Sequence, residues 1–137
     1  MATAHARTAG AHHIGLTVAD LHAAKHFFLD ALGFEQVGEV ADYPAVFVSD
    51  GTVMITLWRA EDPATASAFD RRLNLGLHHF ALRVPGGDEA LASLADDLAR
   101  RDDVEIEFRP EALGTTPLKH MMVRIPGGNL RLELIAA

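Results

Sequence analysis

The stretch His13-Ile14-Gly15-Leu16-Thr17-Val18 carries the clearest structural signal in the chain, because apolar residues alternate along it with polar or small ones. An alternation with a period of two is typical of a β-strand that buries one face. The same alternation returns over residues 77–84, again with two adjacent histidines near its start. His13 and His79 occupy the same place in the two copies, so the sequence predicts two equivalent strands.

A helix and three more strands follow each of these strands. Asp20 is a suitable N-cap for a first helix over residues 20–32, which Gly33 would end, and a second helix is predicted over residues 89–101. The remaining strands are predicted at residues 34–40, 45–49, 52–58, 104–108, 120–125 and 130–135. Each half therefore has the order β-α-β-β-β, which indicates an internal duplication.

The duplication predicts an α+β fold in which two βαβββ modules in tandem form a curved mixed sheet cup. We expect residues 1–10 to be a flexible leader, since they contain few large apolar side chains. Residues 11–137 then form a single domain. Within it we assign residues 11–60 to module one, 61–75 to a connector and 76–137 to module two.

The composition excludes several classes of function. No cysteine is present among the 137 residues, which removes disulfide scaffolds, zinc–thiolate sites, iron–sulfur clusters and cysteine nucleophiles. The formal net charge of −7 argues against nucleic acid as a partner, because phosphate binding needs clustered Lys and Arg. No apolar stretch approaches the roughly 18 residues of a membrane helix. Residues 1–10 lack the apolar core of a secretory signal, so we expect a cytoplasmic protein.

Three polar residues on the predicted strands suggest a metal site. His13 and His79 point away from the aliphatic face of their strands, and the next residue on the same face is small, Gly15 or Ala81. Glu133 lies between two leucines of the last strand and faces the same way. If the two modules curl toward each other, His13, His79 and Glu133 converge. Two imidazoles and one carboxylate suit Fe(II), and Mn(II) or another divalent ion is also compatible with them.

Three segments link this pattern to a known family. They are His-Ile-Gly-Leu-Thr-Val-Ala-Asp-Leu at 13–21, Leu-Gly-Phe at 32–34 and Gly-Asn-Leu-Arg-Leu-Glu-Leu at 128–134. With the duplicated unit they resemble the vicinal oxygen chelate superfamily over about residues 11–136. That superfamily includes glyoxalase I, bleomycin-resistance and fosfomycin-resistance proteins, methylmalonyl-CoA epimerase and extradiol dioxygenases. The resemblance implies the same fold, with His13, His79 and Glu133 as ligands of Fe(II) or Mn(II), or alternatively of Ni(II) or Zn(II).

The resemblance also bears on the reaction. The superfamily's fourth ligand, where present, lies on the last strand of module one, where this chain has Thr56, a poor ligand beside a carboxylate. The three-ligand pattern of extradiol dioxygenases and fosfomycin-resistance proteins therefore remains. His120 lies near the place of a histidine that assists extradiol cleavage, so His120 and Thr56 are the candidate catalytic residues. The implied protein is a divalent-metal-dependent enzyme that binds a small substrate through two adjacent oxygens, with a reaction most like that of an extradiol dioxygenase or a lyase.

Four further residues are candidates for the substrate pocket. Phe47, Met54 and Trp58 would form an apolar wall of adaptable shape. Arg124, like Arg83 and Arg131, is a candidate to meet a substrate carboxylate.

Relatives of this size often pair their modules across two chains, which implies a homodimer that acts on a small molecule, with no nucleic acid or membrane partner. The alternative is a metal-free drug- or small-ligand-binding protein of the bleomycin-resistance type. The presence of His13, His79 and Glu133 favours the enzyme, since such binding proteins typically lack these ligands.

Overall fold

The computed structural model describes residues 5–137, and within them the first module forms a four-stranded mixed sheet. Its elements are β1 (His13–Val18), α1 (Leu21–His26), β2 (Glu35–Val40), β3 (Ala45–Ser49) and β4 (Met54–Arg59). The sheet order is β1-β4-β3-β2, with β1 parallel to β4 and the other neighbours antiparallel. Leu16 and Val18 of β1 are buried while Thr17 is exposed, as the alternation predicts.

The second module repeats this arrangement. Its elements are β5 (Phe80–Val84), α2 (Gly87–Ala99), β6 (Glu105–Ala112), β7 (Lys119–Ile125) and β8 (Leu130–Ala136). The sheet order is β5-β8-β7-β6, again with the first strand parallel to the last. The predicted α+β fold, with two βαβββ modules in tandem, is therefore confirmed.

The first helix differs in geometry from the prediction, although its extent agrees. Asp20 accepts a hydrogen bond from the backbone N–H of Ala23 and so caps α1, as predicted. The helix then widens into a π-helical turn over Phe27–Ala31, closed by a bond from the N–H of Leu32 to the carbonyl of Phe27. Phe27 and Phe28 are consecutive, yet both are fully buried in the core. An amphipathic pattern alone does not reveal such a widened turn.

Several strand boundaries also shift. β4 begins at Met54, because Asp50 accepts hydrogen bonds from the N–H groups of Thr52 and Val53 and thereby keeps both residues in the turn. β5 begins at Phe80 and not at Leu77. Of the predicted leader, residues 1–4 lie outside the described part of the chain, and residues 5–10 form neither helix nor strand. No helix within the described residues is long and apolar enough to cross a membrane.

The two modules share one hydrophobic core, which lies between the sheets and the helices. The turn between β7 and β8 closes against module one, where the carbonyl of Gly127 accepts hydrogen bonds from the N–H groups of Ala19 and Asp20. A β-carbon at Gly127 would lie 2.4 Å from the carbonyl oxygen of Asp20, so only glycine permits this approach. A surface ion pair between Arg101 and Asp30 adds a second link.

Candidate functional site

The strand register places Glu133 and Thr56 at equivalent positions in the two modules. Glu133 of β8 is paired with Ala81 of β5, just as Thr56 of β4 is paired with Gly15 of β1. Both side chains are nearly enclosed, with 7% of Glu133 and 5% of Thr56 exposed. The duplicated fold thus presents a carboxylate on one sheet where the other presents a neutral hydroxyl.

Two histidines approach the carboxylate of Glu133, His120 from β7 and His79 from the position just before β5. Nδ1 of His120, on β7, lies 2.5 Å from Oε2 and donates to it, while Nε2 of His79 lies 3.4 Å from Oε1. His120 also packs edge-to-face against Phe108, with the ring centres 4.9 Å apart. A buried carboxylate is costly unless it is paired, so His120 both stabilises Glu133 and fixes its orientation.

The hydrogen bonds around His78 determine which nitrogen of His79 carries the proton. Nη1 of Arg131 lies 3.3 Å from Nδ1 of His78, and because a guanidinium only donates, this Nδ1 accepts. Partial desolvation and the charge of Arg131 lower the pKa of His78, which favours this neutral state. Nδ1 of His79 lies 2.7 Å from the same atom, so His79 donates from Nδ1 and, when neutral, carries its lone pair on Nε2.

This tautomer makes the pair of His79 and Glu133 suitable for a cation. A lone pair on Nε2 facing Oε1 at 3.4 Å sets two acceptors against each other, which repel unless a proton or a metal ion lies against both. Histidines that bind metals commonly donate their other N–H to a neighbouring group, as His79 does to His78. The donor set on the second sheet therefore fits a divalent ion.

The third predicted ligand, His13, lies on the first sheet, where its Nδ1 contacts Nδ1 of His12 at 2.9 Å. Within residues 5–137 of one chain, no three histidine or acidic side chains are placed to hold a metal ion. One chain thus brings together His79 and Glu133, with His120 beside them, and leaves His13 apart. Whether these residues bind a metal stays a prediction.

The face of the first sheet that carries Thr56, which we call its site-bearing face, is aromatic. Nε1 of Trp58 donates to the hydroxyl of Thr56 at 2.9 Å, so this hydroxyl is already engaged. The rings of Phe47 and Tyr43 pack against Trp58, with centres 5.8 and 5.1 Å away. The predicted wall residue Met54 instead lines an open cavity of about 510 Å³ between the segment 9–12 and the turn 49–53.

An ion-pair cluster lies next to Glu133 on the second sheet. Glu107 of β6 accepts hydrogen bonds from Arg131 at 2.8 and 3.1 Å and from Arg124 at 3.0 Å, and Arg71 of the connector lies 3.4 Å away. Partial burial raises the pKa of Glu107, but the hydrogen bonds from Arg131 and Arg124 outweigh it and hold the pKa below its usual value. We call Arg71, Arg124, Arg131 and Glu107 the arginine cluster.

Sequence reasoning missed two members of this region. Glu107 stands between Ile106 and Phe108 in a predicted strand, and a charge in such a place was the available signal. His78 was visible only as part of the repeated histidine pair. Predicted pocket residue Arg124 does lie at this site, whereas Phe47 and Trp58 belong to the opposite sheet.

Comparisons with known proteins agree on the fold. In the structural comparison, a glyoxylase/bleomycin resistance protein/dioxygenase domain from Frankia sp. EAN1pec matches with a TM-score of 0.76 and 22% identity, over 95% of this chain and 93% of that one. The fosfomycin resistance protein FosX from Listeria monocytogenes matches with a TM-score of 0.71 and 18% identity, over 95% and 94%. Lactoylglutathione lyase from Agrobacterium tumefaciens matches with a TM-score of 0.69 and 20% identity, over 96% of each chain.

Sequence comparison gives a shorter match and a family. Catechol-2,3-dioxygenase from Bacillus subtilis is 39% identical over an alignment of 66 residues that covers 42% of this chain and 23% of that protein. The chain thus matches about a quarter of this curated relative's length. The family model for the Glyoxalase/Bleomycin resistance protein/Dioxygenase superfamily matches residues 10–131. The chain therefore belongs to the glyoxalase/bleomycin resistance protein/dioxygenase superfamily.

Proposed function

We propose that this chain is a divalent-metal-dependent enzyme whose ion is held by His13, His79 and Glu133, with Fe(II) or Mn(II) favoured. The observation that carries the proposal is the pair of facing acceptors, Nε2 of His79 and Oε1 of Glu133 at 3.4 Å, next to a carboxylate that is 7% exposed. A divalent ion satisfies both acceptors at once. When bound, such an ion would act as a Lewis acid toward two adjacent oxygens of a small substrate.

The residues around the ligands have separate tasks in this proposal. His120 orients Glu133 through its Nδ1–H, and His78 orients His79 through its Nδ1 lone pair. His120 keeps its second ring nitrogen for proton exchange with a substrate, since only Nδ1 is used by Glu133. Thr56 is a weaker candidate for a catalytic base, because its hydroxyl accepts from Trp58 and a threonine hydroxyl is a poor base.

For the reaction we propose extradiol-type ring cleavage, with lyase chemistry as the alternative. The named function of the Bacillus subtilis relative, a catechol dioxygenase, supports the first, although the match covers only 23% of that protein. Oxygen uptake on addition of catechols to anaerobically Fe(II)-loaded protein would support ring cleavage. Turnover of a hemithioacetal or an epoxide without oxygen would instead assign the chain to the lyase or transferase branch.

A second copy of the chain would supply the missing ligand. The site-bearing face of the first sheet exposes apolar side chains that have no cover within one chain, including Tyr43 at 61% and Val40 at 37%. Packing this face against the second sheet of another copy would cover them and bring the partner's copy of His13 toward His79 and Glu133. We therefore propose a homodimer with two shared sites, and a monomer in sedimentation experiments would contradict it.

Mixing two variants tests the shared site directly. His13→Ala and Glu133→Gln each disable every site in their own homodimers. In a mixed dimer, one site receives an intact His13 from one chain and an intact Glu133 from the other. Equal mixing with subunit exchange should restore about a quarter of the wild-type metal capacity, because half of the dimers are mixed and each has one intact site. No recovery would mean that the ligands of one site do not come from two chains.

Metal content tests the proposal as a whole. We expect the purified protein to bind about one divalent ion per chain and to unfold at higher temperature when Fe(II) or Mn(II) is added. Glu133→Gln should abolish this stabilisation, whereas His22→Ala, on the exposed face of α1, should retain it. Wild-type protein that shows neither bound metal nor a thermal shift with Fe(II), Mn(II), Ni(II) or Zn(II) would overturn the metalloenzyme.

The second candidate function is a metal-free binding protein. It is favoured by the aromatic surface of Trp58, Phe47 and Tyr43, which offers flat apolar contact to a drug-sized ligand. In that case an apolar ligand should quench the fluorescence of Trp58, the chain's single tryptophan, equally well in the wild type and in Glu133→Gln.

A further inference from the structure

We infer that the arginine cluster binds an oxyanion group of the substrate, a carboxylate or a phosphoryl group, beside Glu133. The inference rests on the proposed function only in joining this anion to the metal-bound substrate. The binding of the anion itself follows from the charges, donors and cavity at the cluster, and it can be measured without any metal.

The charges at the arginine cluster are unbalanced. Arg124 and Arg131 lie directly opposite each other across β7 and β8, an arrangement that is normally unfavourable for like charges. Arg71 adds a third guanidinium, yet the three share the single carboxylate of Glu107. This local positive excess lies in a chain whose formal net charge is −7. Positive charge concentrated in a partly enclosed site attracts anions.

The arginine cluster also has unused hydrogen-bond donors. A guanidinium has five donors and no acceptor. Nε of Arg124 is enclosed without a hydrogen-bond partner, the one such buried side-chain atom among the described residues. Arg71 reaches Glu107 only through Nη1, at 3.4 Å. The donors of the cluster thus exceed what Glu107 can accept, and a second oxyanion would use them.

The arginine cluster also borders a cavity. A cavity of about 270 Å³ lies at the cluster, lined by Phe69, Asp70, Arg71, Arg72 and Arg124. Asp70 offsets only part of this charge, since it is one carboxylate against three arginines and its hydrogen bonds go to the backbone N–H groups of Arg72 and Leu73, where it closes the local turn. The opening is therefore bordered mainly by cationic side chains, and it has room for a carboxylate or a phosphoryl group.

The position of the cluster relates it to the proposed metal ligands. Arg131 and Glu133 are two residues apart on β8 and project from the same face, which places their backbones about 7 Å apart. Arg131 also contacts His78, which holds His79. A small substrate that presents two adjacent oxygens at one end and an anionic group at the other would span this distance.

Calorimetric titration of the metal-free protein with benzoate and with inorganic phosphate tests the inference. We expect saturable binding of at least one of them, and the tighter of the two distinguishes a carboxylate from a phosphoryl site. Arg71→Gln should weaken binding about tenfold, the usual effect of losing one charge-assisted hydrogen bond. Arg71→Lys should recover part of it. Arg109→Gln, which removes an exposed arginine paired with Asp96, should bind as the wild type does.

Arg71→Gln is the decisive variant, since it removes a connector side chain with one long contact and should not disturb folding. Equal binding by wild type and Arg71→Gln, or no binding of either anion, would overturn the inference. A second arm compares 3,4-dihydroxybenzoate with catechol on metal-loaded protein by calorimetry. The carboxylate should increase affinity about tenfold in the wild type and not in Arg71→Gln.

The proposed metal-dependent function and the proposed anion site can be refuted independently of each other. Anion binding without metal binding would leave the arginine cluster as a site and remove the metal-dependent function. Metal binding without anion binding would do the reverse.

Discussion

On the first sheet, neighbouring strands pair Gly15 with Thr56, Thr56 with Phe47 and Phe47 with Gly38, which gives one row of residues across the sheet. This row presents a hydroxyl next to an aromatic ring. The matching row on the second sheet passes through Ala81, Glu133, Met122 and Phe108, and it presents a buried carboxylate. Small residues begin both rows, and the backbone register is the same. The side chains have diverged so that one face is aromatic and the other is charged.

This difference shows how the two modules of a duplicated fold can take different chemical roles. The aliphatic sides of both sheets face the core and are constrained by packing, so they remain alike. The opposite sides are free of that constraint and carry different chemistry. A site that needs an apolar wall and charged ligands at once must therefore bring together the unlike faces, and a second copy of the chain can do so.

The largest expected effect tests whether the core sides of the modules are equivalent. Leu57 is paired with Leu16 in the first sheet and Leu134 with Leu82 in the second, and both are almost fully buried. Leu57→Ala and Leu134→Ala should each lower the free energy of unfolding by about 3 kcal/mol, because each leaves a cavity in the shared core. Urea unfolding at one fixed protein concentration measures this. A cost below about 1 kcal/mol for one of them would show that its module is not packed like the other.

The second largest effect tests whether the two sheets differ in metal binding on the faces that do not face the core. Glu133→Gln should lower the affinity for the divalent ion by at least about 100-fold, since even partners that only support a ligand cost 10–100-fold. Thr56→Val, at the equivalent position, should leave metal affinity unchanged. Competition with a fluorescent chelator measures both. An equal loss in both variants would mean that the two sheets contribute alike to the metal site.

How much could be predicted from the sequence depends on whether the interactions that form a feature are local or distant along the chain. The alternation at residues 13–18 and the cap at Asp20 are local, so the strands, helices and duplication were predictable. The same local pattern indicated that Glu133, like the two histidines, points away from the aliphatic side of its strand. The boundary at Met54 was missed although its cause is also local, since the N–H groups of Thr52 and Val53 donate to Asp50 and hold both residues in the turn.

The arginine cluster and the place of His13 depend on distant parts of the chain. Glu107 reaches Arg131 and Arg124 from a strand whose register shifts between Ile106 and Phe108, and no sequence period predicts this irregularity. Arg71 joins them from a connector that has no regular structure. His13 belongs to the other sheet, and its proposed meeting with Glu133 depends on an assembly that one sequence does not describe.

A smaller effect distinguishes the charged face by its pH dependence. The pKa of Glu107 is held below its usual value in the folded state, so its contribution to stability is present above about pH 4.5 and is lost as the pH falls through the folded value. Glu107→Gln should lower the free energy of unfolding by about 1 to 2 kcal/mol at pH 7. The difference from wild type should shrink steadily between pH 5 and pH 3.

Urea unfolding across this pH range measures the effect, with Glu105→Gln as the control. Glu105 lies on the same strand and is exposed, so its replacement should change stability by less than about 0.5 kcal/mol at any pH. A Glu107→Gln deficit that stays constant down to pH 3 would show that the carboxylate contributes through packing and not through its charge.

The smallest effect concerns the turns that join the last two strands of each module. Gly51 has a φ of 92° in the first turn and Gly127 a φ of 90° in the second, which also contains Asn129 at 57°, the one non-glycine residue with positive φ in residues 5–137. Asn129→Gly should change stability by only a few tenths of a kcal/mol, because both residues enter this region readily. Asn129→Ala should cost about 1 kcal/mol, since its β-carbon disfavours the left-handed conformation.

The contact from Arg124 goes to the backbone carbonyl of residue 129, so all three forms keep it. Thermal unfolding of the three proteins measures the order, and an alanine variant as stable as the glycine variant would mean that the turn has changed its backbone conformation.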